Sequence, residues 1–333
     1  MQIRNLLLTL GVGVVLVGAC VALSTPEEVP PQTSEPTPAA TAPPSSTLTP
    51  EVDIPIIDAH SQCCPENLDQ VIPLMDLGGV ACTILSPGVT STKGIITPEE
   101  LVSFASDYPG RIIPAVRIKV RKNENYYDLL EKQMNMNQHG AMAEVLIYHE
   151  AKAGVYPKIV AHFNDESVQA TLNYALDKEW PFILHIEFAD AGSQGSEFMT
   201  ELEALLIQYP KHPFVLIHMG QLNHVTARHL IEAHPNIYFI TSHSNPIVVD
   251  KGTKLWTNMF DGDYLSTDWK ELMIEYPDRF ILGLDMVWSW DWDRFYLPQI
   301  TLWRKAMTEL PLEVAHAFAH GNAERLWRLP PVE

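Results

Sequence analysis

The stretch PFILHIEFADAGSQGSEFMTELEALLIQYPKHPFVLIH, residues 181–218, decides the fold. It opens on an apolar run, PFILHIE (181–187), and closes on another, PFVLIH (213–218). Between them SEFMTELEALLIQY (196–209) repeats its apolar residues at helical spacing. Near-continuous apolar strands joined through a helix are parallel and covered on both faces, because the crossover helix packs back onto the sheet.

The same unit recurs along the chain. Further strands are expected at IPIIDA (54–59), VACTILS (80–86), RIIPAVRI (111–118), AMAEVLIY (141–148), NIYFIT (236–241) and RFILGLD (279–285), with amphipathic stretches between them. One of these, TPEELVSFASDY (97–108), starts with Thr97 as N-cap, Pro98 in the first turn and Glu100 closing a capping box. About eight strands, each followed by a helix, fit an α/β fold, a TIM-like (β/α)8 barrel of roughly 250 residues. A doubly wound open sheet is the alternative, but no glycine-rich phosphate loop follows the first strand. The barrel is expected over residues 51–333, with no second domain.

Two segments precede it. Residues 1–20 combine Arg4, a short apolar run and Cys20 directly after Val17-Gly18-Ala19. The run is too short for a comfortable membrane span. It resembles a bacterial lipoprotein signal peptide with its lipobox, which makes Cys20 the lipidation site and places the protein outside the cytoplasm, lipid-anchored to the cell envelope. Residues 21–50 are rich in Pro, Ser and Thr and poor in large apolar residues, so they read as a disordered linker.

Of the 333 residues, 46% are hydrophobic, enough for a sizeable core. Lys and Arg number 22 against 41 Asp and Glu, a net charge of -19 that excludes a nucleic-acid surface and disfavours anionic lipid headgroups as partners. The partners expected are a small-molecule substrate, the membrane through the lipid alone, and a second copy of the chain in a homo-oligomer. With Cys20 lipidated, Cys63, Cys64 and Cys82 remain, an odd number in an oxidising compartment. Either Cys82 bridges Cys63 or Cys64, or all three are small buried apolar residues.

Active sites of such barrels lie at the carboxyl ends of the strands. In IIDAHSQ (56–62) the alternation of Asp58, His60 and Gln62 points all three into the barrel mouth. The other strand ends supply Glu144, His185 with Glu187, His218, and Asp285, and the seventh strand is followed by Thr241, Ser242 and His243. Singly, each has a structural explanation: Glu144 pairs with a base, Asp58 binds backbone amides, a histidine is hydrogen-bonded. Jointly, imidazoles and carboxylates around one mouth are ligands for zinc, manganese, iron or nickel. VWSWDWDRFYLP (287–298), read as a loop over that mouth, offers Trp288, Trp290 and Trp292 as an aromatic wall. The one basic cluster, KVRKNEN (119–125), reads as a solvated face.

The order D-x-H on the first strand, His on the fifth, His on the sixth and Asp on the eighth resembles the amidohydrolase superfamily. The closest branch is the amidohydrolase-related group, which includes hydrolases and aminocarboxymuconate-semialdehyde-type decarboxylases. HGNAERLWRL (320–329) matches that branch's closing G-N-A-x-R-L through Gly321, Asn322, Ala323, Arg325 and Leu326. The resemblance covers residues 52–329.

It implies one divalent ion, zinc, held by a set drawn from His60, Gln62, Glu144, His185, His218 and Asp285, with Asp285 and His218 as the catalytic proton carriers. The implied reaction is hydrolysis of a small amide, ester or lactone by metal-activated water, or decarboxylation in the same branch. Gln62 departs from the family, which has histidine there, and its amide oxygen is a weaker donor for zinc. Three readings follow: one ion on His60, His185, Asp285 and His218; recruitment of Cys63 or Cys64; or a binding lipoprotein whose metal site is lost.

Overall fold

In the computed structural model the described residues are 53–332, apart from 64, 91–93, 119–124, 153–156 and 250–253. The signal peptide, Cys20, the linker, Cys64 and most of the basic cluster lie outside them.

The barrel strands are β1 (Ile56–Gln62), β2 (Val80–Ser86), β3 (Ile112–Val116), β4 (Ala141–Met142), β5 (Val145–His149), β6 (Phe182–Ile186), β7 (Phe214–Leu216), β8 (Ile237–Ile240) and β9 (Phe280–Ile281). β1, β2, β3 and β4 form one parallel sheet, and β9, β8, β7, β6 and β5 run in order through another. β4 and β5 together are the expected fourth strand. It breaks at Ala143 and Glu144, and its two pieces pair with different neighbours, so it carries the chain from one sheet into the other. On the opposite side the chain after β9 bonds to β1: Ala59 N donates to Leu282 O at 3.0 Å, Asp285 N to His60 O at 2.7 Å and Gln62 N to Met286 O at 3.0 Å.

The helices fall where the periodicity put them: α1 (Val71–Gly78), α2 (Pro98–Asp107), α3 (Tyr126–Asn135), α4 (Glu166–Lys178), α5 (Gly195–Gln208), α6 (His224–Ala233) and α7 (Thr267–Glu275). At the start of α2 the capping box forms as expected. Glu100 N donates to Thr97 Oγ1 at 3.2 Å, and Thr97 N donates to Glu100 Oε2 at 2.8 Å, an arrangement worth about 1 kcal/mol. No helix among the described residues is long and apolar enough to cross a membrane.

Period-two alternation divides the core. Phe182, Leu184 and Ile186 of β6, with Phe214 and Leu216 of β7, join the large cluster under the helices. Ile183 and Val215 join a smaller cluster with Ile57, Ala59, Cys82, Ile84 and Ala115 inside the barrel. His185 continues the inward row of Ile183, which is what brings it to the mouth.

After β9 come α8 (Ser289–Arg294), α9 (Tyr296–Met307), α10 (Leu312–His316) and α11 (Asn322–Trp327). Residues 287–298 are thus largely helical and not the expected loop, because the Asp291 carboxylate accepts from Val287 N and Trp288 N and starts α8. α11 carries the G-N-A-x-R-L segment. Its Ala323, Leu326 and Trp327 enter the inner cluster at the end of the barrel away from the mouth, and Asn322 Nδ2 donates to Pro277 O and Phe280 O, both at 2.8 Å.

Two expectations fail. Cys63 is disulfide-bonded but Cys82 is a free, buried thiol, so the bridge to Cys82 does not form; Cys82 faces the barrel interior, packed among aliphatic side chains. Asp58 does not reach the mouth. The register of β1 against β2 shifts between Asp58 and Ser61, and such a bulge re-aims the side chains on either side of it. Asp58 turns into the closing seam, where it accepts from Leu284 N at 2.9 Å, His60 N at 3.2 Å and Ser61 Oγ at 2.5 Å. Burial pushes its carboxyl up to about 6 against those hydrogen bonds. Asp58 therefore binds backbone amides, the structural role the sequence left open.

Candidate active site

His60 and Gln62 follow the bulge and face the mouth. Gln62 is anchored through its backbone, which accepts from Trp292 Nε1 at 3.2 Å. Its side-chain Nε2 donates to Glu144 Oε1 and to Asp285 Oδ1, each at 3.1 Å. The amide thus stands between two carboxylates with its hydrogens toward them, an orientation that two acceptors impose on an amide.

Asp285 is the centre of one side of the mouth. Its Oδ1 lies 3.4 Å from His60 Nε2. Its Oδ2 lies 3.5 Å from both His218 Nε2 and His243 Nε2. The rings of His218 and His243 stack almost parallel, 4.4 Å between centroids and 5° between planes. Trp256 packs against both, at 4.7 and 5.1 Å. His218 Nδ1 is fixed by Ser242 Oγ at 2.9 Å, which turns its Nε2 toward Asp285. Burial, then the positive charges of His243 and His185, hold His218 well below the usual imidazole range, so it is neutral. Burial raises Asp285, but the close approach of His60 and the charges of the surrounding imidazoles outweigh that and keep it ionised.

The backbone here is unusual. His218, His243 and Asp285 have φ of 55°, 57° and 51°. This left-handed region costs a side-chain-bearing residue about 1–2 kcal/mol, and residues held there concentrate at functional sites.

The other side of the mouth is a ladder of ion pairs. His185 Nδ1 meets Glu144 Oε2 at 2.6 Å and its Nε2 meets Glu187 Oε1 at 3.3 Å. Lys254 Nζ reaches Glu187 Oε2 at 2.5 Å and Glu150 O at 2.8 Å. His149 Nε2 stands 3.9 Å from Glu187 Oε1, and an Arg117 guanidinium nitrogen stands 3.9 Å from Glu144 Oε1. Burial lowers His185, but the charges and hydrogen bonds of Glu144 and Glu187 reverse this and push it up to about 9. Burial likewise raises Glu187, and His185 and Lys254 bring it down to about 2.

Together the two sides bound a cavity of about 580 Å³. Gln62, Glu144, His185, His218, His243 and Asp285 line its base; Arg117, Lys152 and Lys254 supply positive charge. Trp256, Trp288, Trp290 and Phe295 supply the aromatic wall, whereas Trp292 is buried away from it, stacked on Tyr296 at 4.8 Å. The donor set suits a divalent ion. Glu144, His185 and His218 form one cluster of convergent ligand atoms, and His218, His243 and Asp285 form another. His60 Nε2 is buried against Asp285 Oδ1 at 3.4 Å, too loosely placed for a well-formed hydrogen bond.

Of the six residues expected to hold a metal, Gln62, Glu144, His185, His218 and Asp285 line the cavity, and His60 lies against Asp285. Reading strand ends missed His149, because the fourth strand runs one residue beyond Tyr148, and it left His243 aside. Lys254 and Trp256 lie on an irregular stretch without periodicity and carried no signal.

The family model described as Amidohydrolase matches residues 96–329, more than half of the chain. No curated protein matches the chain. Among solved structures, an uncharacterized TIM-barrel protein from Bordetella bronchiseptica is 14% identical, with a TM-score of 0.55 over 83% of this chain and 99% of that one. A probable 2-pyrone-4,6-dicarboxylic acid hydrolase from Acinetobacter baumannii with citric acid bound is 12% identical, TM-score 0.52, over 82% and 99%. An amidohydrolase from Burkholderia multivorans with bound zinc is 14% identical, TM-score 0.52, over 83% and 100%. At these identities the likeness establishes the TIM-barrel fold.

Proposed function

The chain belongs to the amidohydrolase family, a family of metal-dependent enzymes, and we propose that it hydrolyses a small ester, lactone or amide that carries a carboxylate. The observation that carries this reading is the convergence of His60, His218, His243 and an ionised Asp285 at the base of a cavity walled by aromatic rings and cations.

A divalent ion held by these residues, zinc in this proposal, supplies carbonyl polarisation and an acidified water. Asp285 is the proton acceptor: ionised, buried and in contact with three imidazoles, it takes a proton and passes it on without leaving its place. His218, neutral and locked by Ser242, is the second proton carrier, its Nε2 open to the cavity side of Asp285. Arg117 and Lys254 orient the substrate's anionic group, and Trp256, Trp288 and Trp290 exclude water from its apolar part. The citric acid bound by the Acinetobacter hydrolase gives support to an acidic small molecule as the substrate class.

The chain also acts, in this proposal, outside the cytoplasm, tethered through Cys20; radiolabelled fatty acid should label the wild type and not Cys20→Ala.

Kinetics on a panel of carboxylate-bearing lactones, esters and amides test the reaction, with chelator-treated and metal-restored protein side by side. Hydrolysis that is lost with the ion and regained with it is expected, with solvent oxygen in the product. Carbon dioxide release without incorporation of solvent oxygen would replace hydrolysis by decarboxylation.

A further inference from the structure

We propose that the ion sits on His218, His243 and Asp285, displaced from Gln62 toward the tip of the seventh strand. This rests on the metal-dependent reading above, changes which residues hold the metal, and makes His218 a ligand, which leaves proton transfer to Asp285.

Two donors bound to one tetrahedral zinc at about 2.1 Å stand roughly 3.4 Å apart. His218 Nε2 and His243 Nε2 each stand 3.5 Å from Asp285 Oδ2, close to a ligand edge. Glu144 Oε2 and His185 Nδ1, at 2.6 Å, are a hydrogen-bonded pair with a proton between them and no room for an ion. His185's other nitrogen is taken by Glu187.

Asp285 divides its two oxygens between different neighbours. Oδ1 receives the Gln62 amide at 3.1 Å and faces His60, whereas Oδ2 faces the two parallel imidazoles. Gln62 thus fills with hydrogen-bond donors the position between Glu144 and Asp285. A group that donates hydrogens to both carboxylates keeps a cation out of that gap.

His218, His243 and Asp285 come from three different strand ends, yet each adopts the left-handed conformation, and each turns its side chain to a common point. Three protein ligands with an open fourth position are the pattern of a catalytic zinc site. His243, outside the ligand pattern the sequence suggested, becomes the residue that replaces the histidine missing at position 62.

Chelator-stripped protein titrated with Co2+, followed by visible absorption and calorimetry, tests this. One equivalent is expected for the wild type. His243→Asn, chosen because Asn tolerates the left-handed backbone, should weaken Co2+ binding at least about 100-fold, while Glu144→Gln binds about as the wild type does. Wild-type affinity in His243→Asn with loss of the ion in Glu144→Gln would overturn the placement. If His243→Asn fails to fold, pulsed EPR of the Cu2+-loaded wild type decides: two coordinated imidazoles are expected, and one or three would overturn it. A wild type that takes up no ion retires both this site and the proposed function. An ion held by His243 in a protein without hydrolytic activity retires the function alone.

Discussion

The two sides of the barrel mouth both pair histidines with carboxylates, but at different closest approaches, 2.6 Å for His185 and 3.4 Å for the histidines around Asp285. Around His185, nitrogens and carboxylate oxygens meet at 2.5 to 3.3 Å, and the groups are charged and share protons. Around Asp285 they stand at 3.4 to 3.5 Å. Composition alone does not make a ligand set. His185, in contact with two carboxylates, is pushed up to about 9, whereas burial and neighbouring imidazoles hold His218 well below the usual range. The first side is a charged framework that presents Arg117 and Lys254 to the cavity, and the second holds the proposed chemistry.

Four measurements sharpen or break this contrast. The largest effect is expected of Asp285→Asn, which removes the carboxylate that three imidazoles share; kcat/KM should fall by about four orders of magnitude, about 5 kcal/mol. A fall of less than tenfold would move the chemistry to the other side of the mouth. Next is Glu144→Gln, which leaves His185 charged and half-paired. Denaturant unfolding should show a loss of about 3–5 kcal/mol with the ion still bound. Retained stability would mean the ladder is not structural.

Third is the pH dependence of stability in metal-free protein. His185 is raised to about 9 from its ordinary 6.5, so the stability it contributes is complete below pH 6.5 and is lost as pH rises toward 9. That loss is roughly 3 kcal/mol, read from the shift and the free energy per pH unit. Urea midpoints at pH 6 and pH 9.5 measure it, and a flat profile would mean that the pair is not charged. The smallest is Thr97→Ala at the start of α2, far from both sides, which should cost about 1 kcal/mol in unfolding and leave kinetics untouched. A change in kcat there would mean that distance from the mouth does not separate fold from chemistry.

Much of this was legible in the sequence. Strands and helices followed from apolar runs and helical periodicity, because a covered parallel sheet leaves a signal at every residue. His60, His185, His218 and Asp285 followed from lying at strand ends. What escaped depends on single backbone dihedrals and one extra residue in a strand. Asp58 reads as a mouth residue only if β1 alternates without interruption; the bulge sends it to the seam instead. His243 stood at a strand end like the others, but nothing in a sequence announces a φ of 57° that turns it onto Asp285. Lys254 takes its role from Glu187, which lies 67 positions away in the chain.

α11 has a consequence for how the molecule comes into being. Because Ala323, Leu326 and Trp327 complete the inner layer beneath Ile57, Cys82 and Val215, the barrel has no floor until that segment has emerged from the ribosome. The catalytic mouth, drawn from strands made much earlier, therefore waits on late residues. A released chain ending short of Asn322 would lack Ala323, Leu326 and Trp327 and leave the inner layer exposed at the far end.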